Sequence, residues 1–226
     1  MPCFALLLCL IVAGSARSQA AGTAYLSIEG VPPDAATPAP AADEWVLYLD
    51  GEFDSGAAVR LAAFIAQQRI ARASVYFNSS GGSLIAAMGV GRLLREHQFQ
   101  TRVGRRTADP RRPGNGVCYS ACPFAYAGGG WRFLDSGAVL GVHRVANRVP
   151  VPDEFAFEQV VSRQATLYLA AMGISPELFR MMEQVPREEI RLLSREEAVR
   201  LQLVNDGMTP ADSFNAGVSE RPVPAH

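Results

Sequence analysis

The chain contains no lysine, and all 21 of its basic side chains are arginine. The absence of lysine excludes several sites that need an amine: a serine–lysine dyad, a Schiff base, and the lysine of a nucleotide-binding P-loop. Histidine is also scarce, with three examples at His97, His143 and His226. His226 is the last residue and His97 ends a predicted exposed helix. A histidine base, if the chain uses one, is therefore His143.

The charge of the chain is close to neutral, with a formal net charge of −1 at pH 7. Nucleic-acid-binding domains carry a strongly basic footprint, so this charge argues against a nucleic-acid partner. The 226 residues suit one domain, and the 49% that are hydrophobic are enough to bury a sizeable core. The cysteines do not complete a tetrahedral site with the distant His143, so we predict no metal and no other cofactor.

Residues 1–20 are predicted to be a secretory signal peptide. The segment 4–12 (FALLLCLIV) is an apolar run of the right length, and small residues follow it up to a plausible cut after Ala20. The run is shorter than the roughly 20 apolar residues of a membrane-spanning helix. A buried N-terminal strand is the alternative, and the segment before the run lacks a basic side chain. We expect a periplasmic or secreted protein.

Removal of the signal peptide would leave two cysteines, Cys118 and Cys122, on either side of Ser120. In an oxidising compartment, two lone cysteines this close favour a disulfide. The alternative is a pair of free buried thiols, because unpaired cysteine usually behaves as a small apolar residue.

The pattern of apolar residues predicts one α/β domain over residues 44–207. A flexible Pro/Ala-rich segment, 21–43, precedes it, and a disordered tail, 208–226, follows it. The predicted strands are 45–49, 73–77, 99–103, 131–134, 138–142 and 190–193, and the predicted helices are 54–70, 83–97, 119–127, 153–172, 176–184 and 194–201. Alternating strands and helices indicate a mainly parallel sheet. The arginine-rich segment 104–116 is interpreted as a solvated surface loop.

Two segments carry residues suited to nucleophilic chemistry. In 78–83 (NSSGGS), two glycines allow a sharp turn, and Ser83 can cap the following helix. Amides exposed at such a turn can hold an anion or a developing oxyanion, although a plain tight turn explains the segment better when it is taken alone. In 118–122 (CYSAC), Ser120 is a candidate nucleophile, and serine needs an adjacent base to react. His143 follows at the end of a predicted strand.

The order of these motifs resembles that of the proteolytic subunit of Clp protease, within the Clp/crotonase fold family, over about residues 45–206. The segments 192–199 (LLSREEAV) and 203–206 (LVND) extend the likeness. The resemblance implies a spiral of β-β-α units with a mainly parallel sheet. It implies the following catalytic groups: Ser120 as nucleophile, His143 as base, and amides of Gly81 or Gly82 and of Ala121 as the oxyanion hole.

The resemblance also implies a serine-type endopeptidase that acts on peptides or unfolded protein as a homo-oligomer. An exported branch of the family would lack the ATPase partner of the cytosolic enzyme. A catalytically inactive, oligomeric binding or scaffold protein is the first alternative. A crotonase-like acyl-CoA enzyme is the second, and export away from coenzyme A disfavours it.

The acidic member of the family's catalytic triad is not evident in this chain. A gapless alignment places it on Ile190, next to Glu188 and Glu189. We take Glu189 as the candidate third catalytic residue, although a one-residue shift on a strand reverses the face that a side chain occupies. Three outcomes stay open: a local shift that brings Glu189 inward, a Ser–His dyad, and an inactive site.

Overall fold

The structure is a computed structural model that describes residues 25–34, 43–145 and 152–206. The strands of the described part are β1 (Ser27–Val31), β2 (Trp45–Phe53), β3 (Ala73–Gly82), β4 (Gln100–Val103), β5 (Val117–Tyr119), β6 (Val139–Val142) and β7 (Arg191–Leu193). The helices are α1 (Ala57–Gln68), α2 (Leu84–Glu96), α3 (Cys122–Ala127), α4 (Glu154–Ala171), α5 (Pro176–Glu183) and α6 (Arg195–Arg200). The predicted signal peptide and C-terminal tail lie outside the described residues.

The strands form one sheet in the order β1-β2-β3-β5-β6-β7, with β4 also paired to β3. The central pairs β2–β3, β3–β4, β3–β5 and β5–β6 are parallel, whereas the edge strands β1 and β7 are antiparallel to their neighbours. β3 pairs with β4 along Ser74–Phe77 and with β5 at Ser79, so the sheet divides along this strand. The predicted α/β class with a mainly parallel sheet is confirmed.

The helices α1 and α2 each bury one apolar face in the core of the domain. In α1 the buried residues Ala57, Leu61 and Ile65 recur every four positions, as a helix that packs by one face requires. Ser83 accepts a hydrogen bond from the Ala86 amide and caps α2, as predicted. α3 differs from the others because all six of its residues are buried.

The prediction that residues 21–43 form a flexible segment is wrong for the part that the structure describes. β1 lies within that segment and pairs with β2 from Ser27–Asp50 to Val31–Val46. Leu26 is fully buried beside it. The prolines and alanines around β1 obscured this short strand. Because the strand belongs to the sheet, the domain begins before residue 44.

The arginine-rich loop 104–116 lies at the surface, and some of its residues contact β1 and β2. Arg106 forms an ion pair with Glu29 of β1, and Arg111 forms one with Asp34 just after it. The Tyr48 hydroxyl donates a hydrogen bond of 2.7 Å to the Pro110 carbonyl, which attaches the loop to β2. The loop is therefore solvated, as interpreted from the sequence, with Arg105, Arg106 and Arg112 exposed, and it is attached to the first two strands.

Three further boundaries differ from the predictions. β3 continues through residues 78–82, which were expected to form a turn, because these residues pair with β2. β5 was not predicted, since three residues are too few to show a periodicity. Residues 131–134 do not form a strand, and only Arg132 makes an isolated bridge, to Thr101.

No helix among the described residues is long and apolar enough to cross a membrane.

Candidate active site

Three neighbouring parallel strands end at the same edge of the sheet, and each carries one predicted motif at its carboxyl end. β3 ends in Gly81 and Gly82, β5 ends directly before Ser120, and β6 ends directly before His143. β5 pairs with both β3 and β6, so it places Ser120 between the glycines and the histidine. The order of the strands thus brings together residues that are far apart in the sequence.

Ser120 forms the sharp turn between β5 and α3. Its backbone is left-handed, with φ at 61°, and its amide donates a 3.1 Å hydrogen bond to the Gly141 carbonyl of β6. A non-glycine residue in this conformation costs about 1–2 kcal/mol, and such residues cluster at active sites. The turn directs Ser120 toward a cavity at the edge of the sheet, which it lines.

The two glycines of β3 have different roles. A Cβ atom at Gly81 would lie 2.6 Å from the Cβ atom of Ser120, so glycine at 81 permits the close approach of the serine. The Gly81 amide donates to the Ser79 hydroxyl at 3.1 Å and is therefore engaged within the protein. Gly82 lines the cavity together with Ala121. Gly82 and Ala121 are accordingly the better candidates for amides that face a developing oxyanion.

The His143 imidazole is half-buried and lines the same cavity as Ser120. Its Nδ1 atom lies 2.8 Å from the Arg144 carbonyl oxygen. A carbonyl only accepts, so this contact requires a hydrogen on Nδ1, and in the neutral ring Nε2 then keeps its lone pair. This tautomer is the one that a general base needs if it takes a proton through Nε2.

Glu189 stays a prediction as the third catalytic residue. Its side chain is exposed and is not part of the cavity lining, whereas Glu188 and Arg187 do line the cavity. Arg187 donates to Glu188 at 2.7 Å, and this hydrogen bond lowers the pKa of the Glu188 carboxyl. The pair is exposed to solvent, where such ion pairs contribute little stability.

Ile190 occupies the position where the resemblance places the acid. The β6–β7 ladder pairs Val142 with Arg191, so one further step along the register sets Ile190 opposite His143. Gly141 makes room for it, because a Cβ atom there would lie 2.5 Å from Cγ2 of Ile190. An apolar side chain therefore stands across from the imidazole, and the observed partner of Nδ1 is a backbone carbonyl.

The cavity has a volume of about 830 Å³, which is within the range of pockets that hold small ligands or peptide side chains. Its lining includes six apolar residues, which are called the apolar wall below: Leu84, Ile85, Phe124, Phe157, Val161 and Met182. The polar lining residues are Ser80, Ser83, Ser120, His143, Arg144, Arg187 and Glu188. Among the described residues, no cluster of three or more His, Cys, Asp or Glu side chains could hold a metal ion.

A disulfide joins Cys118 to Cys122, with their Cα atoms 5.1 Å apart. The sequence left open a disulfide or a pair of free thiols, and the structure has the disulfide. Both residues are fully buried, and Ser120 is the central residue of the bridged pentapeptide.

The carbonyl groups at the end of α3 are held by side chains that the sequence did not single out. Tyr168 donates to Phe124, Thr101 to Tyr126, Arg95 to Ala127 and Gly128, and Arg132 to Gly129, at 2.6 to 3.2 Å. The last carbonyls of a helix lack helical partners, so these donors fix the helix that follows Ser120. Most of these donors lie far from α3 in the sequence, so no local sequence pattern reveals their role.

No protein-family model and no curated protein matches the chain. Among solved structures, a mutant of ClpP1 from Listeria monocytogenes is similar, with a TM-score of 0.53 and 16% identity, over 70% of this chain and 88% of that chain. A mutant of the 1510-N membrane-bound stomatin-specific protease gives a TM-score of 0.48 and 13% identity, over 70% and 75%. The likeness to ClpP1 confirms the predicted ClpP-type fold. At this identity it establishes the fold alone.

Proposed function

We propose that this chain is an exported serine peptidase that hydrolyses peptide bonds through Ser120 and His143. The observation that carries the proposal is the meeting of three strand ends at one cavity: the glycines of β3, the serine after β5 and the histidine after β6. Each motif alone has an ordinary structural explanation. Their convergence on one edge of the sheet, around a cavity with an apolar wall, favours a catalytic one.

In the proposed reaction, Ser120 Oγ attacks the carbonyl carbon of a peptide bond while Nε2 of His143 takes its proton. The carbonyl oxygen becomes an oxyanion and accepts hydrogen bonds from the amides of Gly82 and Ala121. His143 then gives the proton to the leaving amine, and the C–N bond breaks to leave an acyl-serine. Water, deprotonated by His143, attacks this ester and releases the acid, which restores the Ser120 hydroxyl.

The proposed substrate is a peptide or a segment of unfolded protein. The apolar wall of the cavity would accept an apolar side chain of the substrate next to the reacting carbonyl. The buried disulfide supports export, because disulfides persist in the periplasm and outside the cell and are rare in the cytosol. In such a compartment we expect no ATPase partner. We also propose that the chain forms a homo-oligomer, since α4 exposes large apolar side chains.

One observation favours a second candidate function, a catalytically inactive binding or scaffold protein. Ile190 stands where the resemblance places the acidic residue, and Nδ1 of His143 is bonded to a carbonyl instead of a carboxylate. Loss of the triad carboxylate costs about 10⁴-fold in serine proteases but leaves measurable catalysis. The two functions are therefore separated by a sensitive probe of the serine.

The test is labelling of the purified protein by a fluorophosphonate, which modifies activated serines. We expect the wild type to be labelled, and Ser120→Ala and His143→Ala to lose labelling with unchanged circular dichroism. The matched controls are Ser136→Ala and His97→Gln. Each removes a side chain of the same type outside the cavity lining, and both variants should still be labelled. A folded wild type that is neither labelled nor able to cleave peptides overturns the peptidase in favour of the scaffold.

A further inference from the structure

The disulfide connects the two elements that meet at Ser120. Cys118 lies in the middle of β5, and Cys122 is the first residue of α3. The bridge therefore ties the strand that ends at the serine directly to the helix that begins after it. Between the two half-cystines lie Tyr119, Ser120 and Ala121, and the last two carry the proposed nucleophile and one proposed oxyanion amide.

The turn that the bridge encloses is held in an unfavourable conformation. Ser120 is left-handed, with φ at 61°, a region that side chains other than glycine rarely adopt. On the strand side, its amide is fixed by the 3.1 Å hydrogen bond to Gly141. On the helix side, Ala121 is the N-cap residue and has no side chain that could bond the first turn of α3. The covalent link from Cys122 to β5 therefore adds a direct restraint at the start of α3, whereas the side-chain donors described above hold the carbonyls at its other end.

We propose that the Cys118–Cys122 disulfide is a positioning element for the reaction, which holds the Ser120 hydroxyl and the Ala121 amide at a fixed separation. This inference rests on the proposed peptidase function, because it concerns the geometry of that same site. Both half-cystines are fully buried, so the bridge is shielded from solvent in the folded protein. Without it, the turn relaxes toward an ordinary backbone conformation and Ser120 Oγ moves away from its reacting position.

The first experiment compares the oxidised wild type with wild type that has been reduced in urea and refolded with dithiothreitol present, so that both samples have the same sequence. Dithiothreitol gives two electrons and two protons to the bridge, so the S–S bond breaks, two thiols form, and the reagent closes to its cyclic disulfide. We expect the rate of fluorophosphonate labelling and kcat for a peptide to fall about 10²-fold, the loss typical of a misplacement of about 1 Å. KM should change less than about threefold, because the apolar wall of the cavity stays in place. Reoxidation should restore the rate.

The second experiment uses Cys118→Ala/Cys122→Ala, which cannot form the bridge. We expect the same low rate without reductant and no further change when dithiothreitol is added. Rates are divided by the folded fraction, measured by near-ultraviolet circular dichroism. A purely structural bridge would lower that fraction but leave the rate of the folded molecules unchanged.

The outcomes separate this inference from the function on which it rests. Reduced and double-variant proteins that label at the wild-type rate per folded molecule overturn the positioning role and leave the peptidase intact. Complete unfolding of both forms also overturns it, in favour of a bridge that serves folding alone. If the oxidised wild type itself never reacts, the proposed peptidase function fails first.

Discussion

Position 81 carries only a hydrogen where other residues have Cβ, and Ser120 packs against it. Its φ of 119° is strained for any side chain, and an added Cβ atom would lie 2.6 Å from that of Ser120. We expect Gly81→Ala to lower fluorophosphonate labelling by at least about 10²-fold, since Ser120 must move. The matched control is Gly137→Ala, at φ 82° outside the cavity lining, which should lose stability but label normally when folded. Normal labelling of folded Gly81→Ala would contradict the proposed geometry.

Ile190 provides a gain-of-function test at the same scale. The register places it opposite His143, and its side chain is 40% exposed, so a carboxylate there would remain partly solvated. We expect Ile190→Asp to raise kcat about tenfold or more, because an acid stabilises the imidazolium that forms as Ser120 reacts. Ile190→Asn has the same shape without the charge and should not raise the rate.

Glu189→Gln tests the residue that the sequence proposed as third catalytic member. Because the Arg144 carbonyl already occupies Nδ1 of His143, we expect kcat to stay within about twofold of the wild type. A fall of 10³-fold or more would instead establish Glu189 as the acidic member of the site. The measurement is kcat for a peptide, and the control is Glu177→Gln, at a partly exposed residue outside the cavity lining.

At the scale of elements, a buried arginine side chain holds backbone carbonyls at the end of α3 and in the turn after α6, in a chain that has no lysine. Arg132 is buried, and it donates to the carbonyls of Leu203, Gly129 and Gln202 at 2.8 to 3.0 Å. Arg132→Met removes the donor to the Leu203 and Gln202 carbonyls, whereas Gly129 keeps a hydrogen bond from Arg95, and we expect the free energy of unfolding to fall by about 3–5 kcal/mol. Arg112→Met, at a side chain 88% exposed, should change it by less than about 0.5 kcal/mol. Urea unfolding at pH 7 measures both.

The start of α1 should respond to pH through Asp54. Asp54 accepts from the amides of Leu26 and Gly56, and the hydrogen bond from Arg60 holds its pKa well below the usual range. A depressed carboxyl pKa stabilises the fold above the unfolded value of about 3.9 and loses that contribution as pH falls below it. We expect Asp54→Asn to cost about 1 kcal/mol at pH 7 and pH 5, because partial exposure screens the pair.

The cost of Asp54→Asn should shrink at pH 3 and again at pH 2, as the wild-type carboxyl is protonated. Urea titrations at these four pH values measure it. The control is Asp43→Asn, which removes a carboxylate from an exposed ion pair with Arg72 and should have little effect at any pH. A cost for Asp54→Asn that stays constant down to pH 2 would show that its charge does not matter.

Long elements with a clear amphipathic pattern could be predicted from the sequence. Elements that are very short, or that lie among prolines and alanines, could not. α1 and α2 lie within the predicted helices because their apolar residues recur at helical spacing. β5 has three residues, and its strand geometry comes from pairing with β3 and β6. β1 is surrounded by proline and alanine, and its strand conformation is set by pairing with β2 more than by its own sequence.

At the scale of the whole molecule, the fold could be predicted from the order of the motifs along the chain, because that order resembles the one in the Clp proteolytic subunit. The same order indicated that Ser120 and His143 would meet, and the structure places both at one cavity. Two features of the site could not be predicted. The engagement of the Gly81 amide by Ser79 and the carbonyl bound to Nδ1 of His143 depend on side-chain orientations that only the packed sheet determines.

Self-association is the last prediction, and it concerns the surface of α4. Val160 and Leu167 are 56% and 62% exposed and lie seven residues apart, so they occupy the same side of the helix. Large apolar side chains grouped in this way favour contact with a second copy of the chain. We expect sedimentation velocity to show an oligomer at micromolar concentration, and Val160→Arg/Leu167→Arg to dissociate it. Val59→Arg makes the same kind of change in α1, at a residue that is 72% exposed, and should leave the oligomer intact, whereas a monomeric wild type would contradict the prediction.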